Sequence, residues 1–210
     1  MGYWIAGWQP VGVDKVDQPN FPFEFHRADA MTYPLDGFDA VHAGPPCQAY
    51  GRLRHREDAS MYPKLIKPLR DRFEAEIPDV PRVIENVADA LPDMIDPITL
   101  CGSSFGLRIR RHRLLESNMP LTAPACDHVW QDGHKPYRLY VGRSRTHGLG
   151  YRESGIQPVY GDNHNVGGKS LFRKSVAMGI DWMTEDEINE SVPPAYTAHV
   201  GRQLLEFVRS

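Results

Sequence analysis

The chain has 210 residues, 41% of them hydrophobic and 24% charged, an ordinary globular composition that excludes wholesale disorder and collagen-like structure. No apolar run reaches the ~18 residues that a bilayer span needs, and the N-terminus lacks the basic-then-apolar pattern of a secretory leader. Three cysteines, Cys47, Cys101 and Cys126, are too few for a disulfide framework and suit a reducing cytoplasm.

Residues 10–14 (PVGVD) form a short apolar run closed by an acid and are predicted as a strand. Residues 23–30 hold a second candidate, ending at Asp29. Residues 38–43 (FDAVHA) are a buried-strand candidate stopped at Gly44-Pro45-Pro46, since proline cannot continue a ladder. Over 64–76, Leu65, Leu69 and Phe73 recur at i, i+4 and i+8, the spacing of an amphipathic helix. Residues 82–87 (RVIENV) are again strand-like. Strands alternating with helices predict an α/β fold with a mainly parallel sheet. From 119 to 170 the pattern dissolves into Gly, His, Tyr, Arg and Pro, which predicts a small irregular lobe. Thr184-Glu185-Asp186-Glu187 reads as a capping box opening a helix towards Ser191. A last helix over 194–208 is predicted to bury Tyr196, Val200, Leu204 and Phe207. The expected organisation is a core over 1–118, a lobe over 119–175 and a helical segment over 176–210 that returns to the core.

The net charge of −3 hides an uneven distribution. Residues 108–174 carry 12 Lys and Arg against 5 Asp and Glu, while 1–107 carry 10 against 16 and 175–210 carry 2 against 6. A basic middle between acidic flanks suits a polyanion such as DNA; a solvated, solubilising loop region is the plainer account.

Three features carry chemistry. Gly44-Pro45-Pro46-Cys47-Gln48 follows the third predicted strand, and ligands of open α/β sheets bind beyond the carboxyl ends of strands. Two prolines stiffen the loop and hold the Cys47 thiol at its tip, a poor way to bury a side chain. Glu85-Asn86-Val87 ends the next strand, which places Glu85 near Cys47. A carboxyl beside a thiolate favours its protonated form and can donate a proton. Arg111 and Arg113, in 108–113 (RIRRHR), are predicted to alternate onto one face of a strand. Cys126-Asp127-His128 with His134 resembles a partial zinc pattern, but it fits no complete template and shows no fourth ligand. No metal is therefore expected, and Cys101 is read as packing or shaping a turn.

At these positions the sequence resembles the DNA cytosine-5 methyltransferases. That family places a proline-proline-cysteine loop, a Glu-Asn-Val strand end and an Arg-x-Arg strand in this order, here Pro45-Pro46-Cys47-Gln48, Glu85-Asn86-Val87 and Arg111-His112-Arg113. Residues 101–107 (CGSSFGL), 111–117 (RHRLLES) and Pro193-Pro194-Ala195-Tyr196-Thr197 are also similar, the last to short bacteriophage-type members. The resemblance implies a Rossmann-like sheet with a small irregular target-recognition lobe, S-adenosyl-L-methionine as cofactor and double-stranded DNA as partner. It implies that Cys47 attacks C6 of a flipped-out cytosine, that Glu85 protonates the ring, and that Arg113 and Arg111 position base and loop. For the cofactor it implies Asp14 at the ribose, Asp29 near the adenine amine, Pro46 beside the nucleophile and Ser191 from the C-terminal segment. Asp14 is followed by Lys15, and Asn189-Glu190 stands where the family has Gly-Asn. Phage or restriction-modification DNA methylation in a bacterial cytoplasm follows by analogy.

One departure concerns the start. The family opens with a strand and a Phe-x-Gly-x-Gly loop, whereas residues 1–8 (MGYWIAGW) resemble the helix after that loop. The expectation is a sheet lacking its first, central strand, with unpaired neighbours. A misassigned start codon, a fragment, or a decayed or split enzyme needing a complementing N-terminal segment would each produce this, and a monomer is expected. The alternative function is an inactive DNA-binding remnant of such an enzyme. An unrelated cysteine hydrolase lacks a His partner near Cys47.

Overall fold

A computed structural model of the protein describes residues 1–50, 62–133 and 169–209. The elements run α1 (Gly2–Ile5), β1 (Val11–Asp14), β2 (Glu24–Arg27), β3 (Val41–Ala43), α2 (Ile66–Glu76), β4 (Arg82–Val87), β5 (Ile98–Leu100), β6 (Arg113–Ser117), α3 (His128–Gly133), α4 (Lys169–Met178), α5 (Glu185–Glu190) and α6 (Pro194–Arg209). No described helix is long and apolar enough to cross a membrane. The chain divides into one unit of Met1–Leu100, His112–Ala123 and Pro194–Ser210, and a second of Cys101–Arg111 and Pro124–Pro193.

The first unit is mixed α/β with two small sheets. β1 and β2 form a parallel pair, from Val11 opposite Glu24 to Asp14 opposite Arg27. The second sheet has the order β3-β4-β6-β5, and among the described residues no ladder joins it to the β1–β2 pair. β3 runs parallel to β4, with Ala43 opposite Ile84, while β6 is antiparallel to both β4 and β5. The expected mainly parallel sheet is thus mixed. Parallel pairing needs a long crossover, usually helical, and the links between β4, β5 and β6 contain no α-helix.

α2 lies over this sheet. Its buried face is Ile66, Leu69 and Phe73, while Leu65 is only half-buried at the N-cap, so the apolar stripe starts one residue later than its spacing suggests. Pro68 is accommodated in the first turn, where its missing N–H would have no helical partner. Ile66, Leu69 and Phe73 join Leu35, Ile84 and Leu114 in the core. Arg70 ties α2 to β6: its Nη2 donates to Glu116 Oε2 at 2.7 Å, and Glu116 also accepts from Ile95 N at 2.7 Å. α6 buries Tyr196, Val200 and Leu204 as expected, but Phe207 is only half-buried. α1 packs directly on α6, with Trp8 Nε1 donating to the Gly201 carbonyl at 2.9 Å.

The second unit has its own core of Ile109, Ala177, Met178, Ile180 and Ile188. The capping box is present: Thr184 Oγ1 accepts from Glu187 N, and the Glu187 carboxylate accepts from Thr184 N at 2.6 Å. Buried Lys174 reaches Glu185 at 2.7 Å and Asn189 at 2.8 Å. The 101–111 segment closes on itself so tightly that a Cβ on Gly102 would lie 2.1 Å from the Ile109 carbonyl oxygen. Gln131 Nε2 pins the same segment by donating to the Leu107 and Ile109 carbonyls at 2.9 and 3.1 Å. Within the predicted irregular lobe, α3 and the start of α4 are helical. Most of that lobe, including His134, lies outside the described residues.

Candidate active site

β3 delivers the chain into Gly44-Pro45-Pro46-Cys47. Pro45 is buried and Pro46 half-buried, and Pro46 sits at φ −48° and ψ 119°, directing Cys47 into a short 3-10 turn, Cys47–Ala49. The turn closes through Tyr50 N donating to the Cys47 carbonyl at 3.0 Å. Ala49 and Tyr50 are buried, and the Tyr50 hydroxyl accepts from Ile66 N at 3.0 Å at the head of α2. Cys47 stands exposed between these anchors, with its position set by buried neighbours on both sides.

The neighbouring strand supplies two groups. Asn86, 1% exposed, donates from Nδ2 to the Pro45 carbonyl at 3.0 Å, clamping the cysteine loop to the end of β4. This clamp was not legible as a role in the sequence; the signal was Asn86 at a strand end, but its partner becomes visible only once β3 and β4 are adjacent. Glu85 is buried, and its Oε1 pairs with Arg113 Nε at 2.8 Å. Arg113 opens β6, which runs antiparallel beside β4 and places it opposite Val87. The loop passes close to the acid, for a Cβ on Gly44 would lie 3.6 Å from Glu85 Oε2. The structure therefore brings the Cys47 loop, Glu85 and Arg113 together.

Behind them lies a pair that the sequence did not reveal. The Tyr3 hydroxyl is 2.6 Å from His42 Nδ1. Burial lowers His42 to about 4, which leaves the ring neutral at ordinary pH. Burial, and then the charge of Glu85, push the Tyr3 hydroxyl upward.

Arg111 is placed differently from expectation. β6 begins at Arg113, so Arg111 does not share a strand face with it. Arg111 belongs to the second unit, where it is buried and donates from Nη2 to the Asn189 carbonyl at 2.6 Å. The short β6 is set by its pairing with β4 and β5, which leaves 108–112 outside the ladder.

Of the residues expected at the cofactor, Asp14 ends β1 exposed, its Oδ1 accepting from Val16 N at 2.8 Å. Ala28 N donates to the Asp14 carbonyl at 2.9 Å, so the carboxyl ends of the parallel pair lie together. Asp29 accepts from Met31 N at 2.9 Å and pairs with Lys15 at 3.0 Å. The Met31 hydrogen bond, then Lys15, hold its carboxyl below the usual range. Ser191 lies in the second unit, where its hydroxyl donates to the Ile188 carbonyl at 3.0 Å at the end of α5. No protein-family model matches the chain, and no curated protein matches it.

Proposed function

We propose that the chain is a DNA (cytosine-5-)-methyltransferase, or descends from one, with a Rossmann-like core in which Cys47 is the nucleophile. The observation that carries this reading is the exposed Cys47 on a proline-stiffened loop, clamped by Asn86 beside the Glu85–Arg113 pair. A thiolate held in this way is suited to attack an electrophilic ring carbon, and an acid fixed nearby is suited to a ring nitrogen. The cytosine must first leave the helical stack. Cys47 Sγ then bonds to C6, while Glu85 delivers a proton to N3 to balance the electrons pushed into the ring. Arg113 holds the Glu85 carboxyl in position. Once C5 carries the added methyl group, elimination of the C5 proton expels the thiolate from C6 and the N3 proton returns to Glu85, which regenerates both residues.

Asp14 and Asp29 fit a nucleoside cofactor: one carboxylate at the end of β1 and one two residues past β2 offer acceptors for ribose hydroxyls and an adenine amine. S-adenosylmethionine, when bound there, supplies the methyl group. Pro46, adjacent to Cys47 in the chain, is assigned to the same pocket, and the Arg-rich 108–174 stretch is suited to phosphate contacts.

Incubation with DNA containing 5-fluorocytosine tests the reading, because fluorine at C5 blocks the final elimination. A denaturation-resistant complex that requires S-adenosylmethionine and disappears in Cys47→Ser is the expected result. Salt-sensitive DNA binding without an adduct would instead favour a DNA-binding remnant. Neither binding nor adduct would overturn both.

A further inference from the structure

We propose that Cys101, His112, Cys126 and His128 form a structural zinc site. Their ligand atoms lie within 4.8 Å of one another. In a tetrahedral site with zinc–nitrogen and zinc–sulfur bonds of ordinary length, ligand atoms stand about 3.3–3.8 Å apart. Closing the cluster around an ion therefore takes shifts of about an ångström. Cys101 Sγ and His128 Nε2 are already 3.3 Å apart. Cys101, Cys126 and His128 belong to the second unit, and His112 follows its residue Arg111 by one peptide bond.

The ligand-bearing backbone is held independently of any ion. Cys101 is buried and caps a 3-10 turn, Gly102–Phe105, whose Ser103 hydroxyl donates to Cys101 Sγ at 3.2 Å. The same hydroxyl accepts from Asp127 N at 3.0 Å, joining the Cys101 turn to the Cys126–His128 strip. Ser104 Oγ donates to the Ala125 carbonyl at 3.0 Å, and Arg110 Nη2 to the His128 carbonyl at 3.1 Å. Such outer contacts orient metal ligands.

Two thiolates and two imidazoles in a tetrahedral arrangement favour zinc over the harder divalent ions, and four protein ligands leave no open position for substrate. The site is thus structural, fastening 101–111, with its arginines, to 124–133. No template spacing announces it because its members come from segments far apart in sequence. It replaces the Cys126, His128 and His134 pattern, which lacked a fourth ligand, and gives Cys101 a role beyond packing.

The test is metal analysis of the full chain purified without chelator from zinc-supplemented cells, beside Cys47→Ser, Cys126→Ser and Cys126→His. Wild type and Cys47→Ser should carry about one zinc per chain, as a closed four-ligand site requires. Cys126→Ser should lose it and Cys126→His should retain it. Expression with cobalt in place of zinc keeps the test decisive if Cys126→Ser does not fold. Wild type should then show tetrahedral cobalt bands with thiolate charge transfer, weakened by roughly half in Cys126→His, which has one thiolate rather than two. Folded wild-type protein without zinc or thiolate–cobalt bands would overturn the proposal, as would full zinc content in Cys126→Ser.

Discussion

Cys47 and Cys101 show how backbone context assigns different chemistry to the same side chain. Cys47 stands at the tip of a proline loop, exposed, with the buried Glu85 carboxylate paired to the half-buried Arg113 at the adjoining strand ends. Cys101 is buried, hydrogen-bonded to Ser103 and His128, and grouped with a second cysteine and a second histidine. A presented thiol suits reaction with a passing electrophile, whereas a thiol enclosed by other soft donors suits ligation. The first arrangement is built by neighbouring strands and a rigid tripeptide. The second is gathered from separate stretches of chain, and only the folded molecule brings it together.

Removing the exposed thiol breaks the comparison most sharply. Cys47→Ser should abolish adduct formation and lower methylation by roughly 10³-fold or more while leaving zinc content unchanged; loss of metal in that variant would mean that the two sites are not independent. Glu85→Gln should lower methylation by about 10²-fold or more, the scale of a lost general acid, with DNA affinity unchanged within a few-fold. Unchanged turnover would remove Glu85 from the chemistry.

A third variant probes the frame of the first unit alone. Glu116→Ala leaves Arg70 in a largely buried position without its carboxylate and should cost about 3–5 kcal/mol in urea unfolding. Zinc content in the folded fraction should not change. A loss below 1 kcal/mol would show that water takes over the role of Glu116.

His42 gives a pH signature. Burial holds it at about 4, against an ordinary value of about 6.5. Between those values the unfolded chain takes up a proton that the folded chain refuses. Stability therefore falls as pH drops from 6.5 towards 4, by up to about 3 kcal/mol from this group. Urea midpoints across that range should be flatter in His42→Gln than in wild type, and equal slopes would reject the assignment. The smallest effect is expected at Asn86. Asn86→Ala removes one buried hydrogen bond to Pro45 and should cost about 1–3 kcal/mol. Its sharper consequence is slower trapping at Cys47, since the loop loses its clamp.

Local patterns made part of this legible. β4 occupies the predicted 82–87, and the capping box at Thr184 forms as its spacing implies. Both depend on residues within a few positions of one another. The proline–cysteine loop was legible for the same reason, because its stiffness is covalent. Arg111 was misplaced because alternation indicates a face only inside a strand, and pairing partners decide where β6 begins. Leu65 was taken into the apolar stripe because periodicity does not show where the first turn starts. The Asn86 clamp, the Tyr3–His42 pair and the four-residue cluster need strand order and chain crossings, which no local pattern specifies.

Gly102 imposes a constraint of another kind. A methyl group there would meet the carbonyl oxygen of Ile109 at 2.1 Å, so the obstruction comes from the main chain. Changing a side chain elsewhere cannot relieve it. As lineages carrying this chain diverge, the sulfur and imidazole positions can drift with the loss of ion or reactivity, but this position should remain fixed for as long as the segment folds in this way. In a decayed descendant it would be a surviving mark of the ancestral loop.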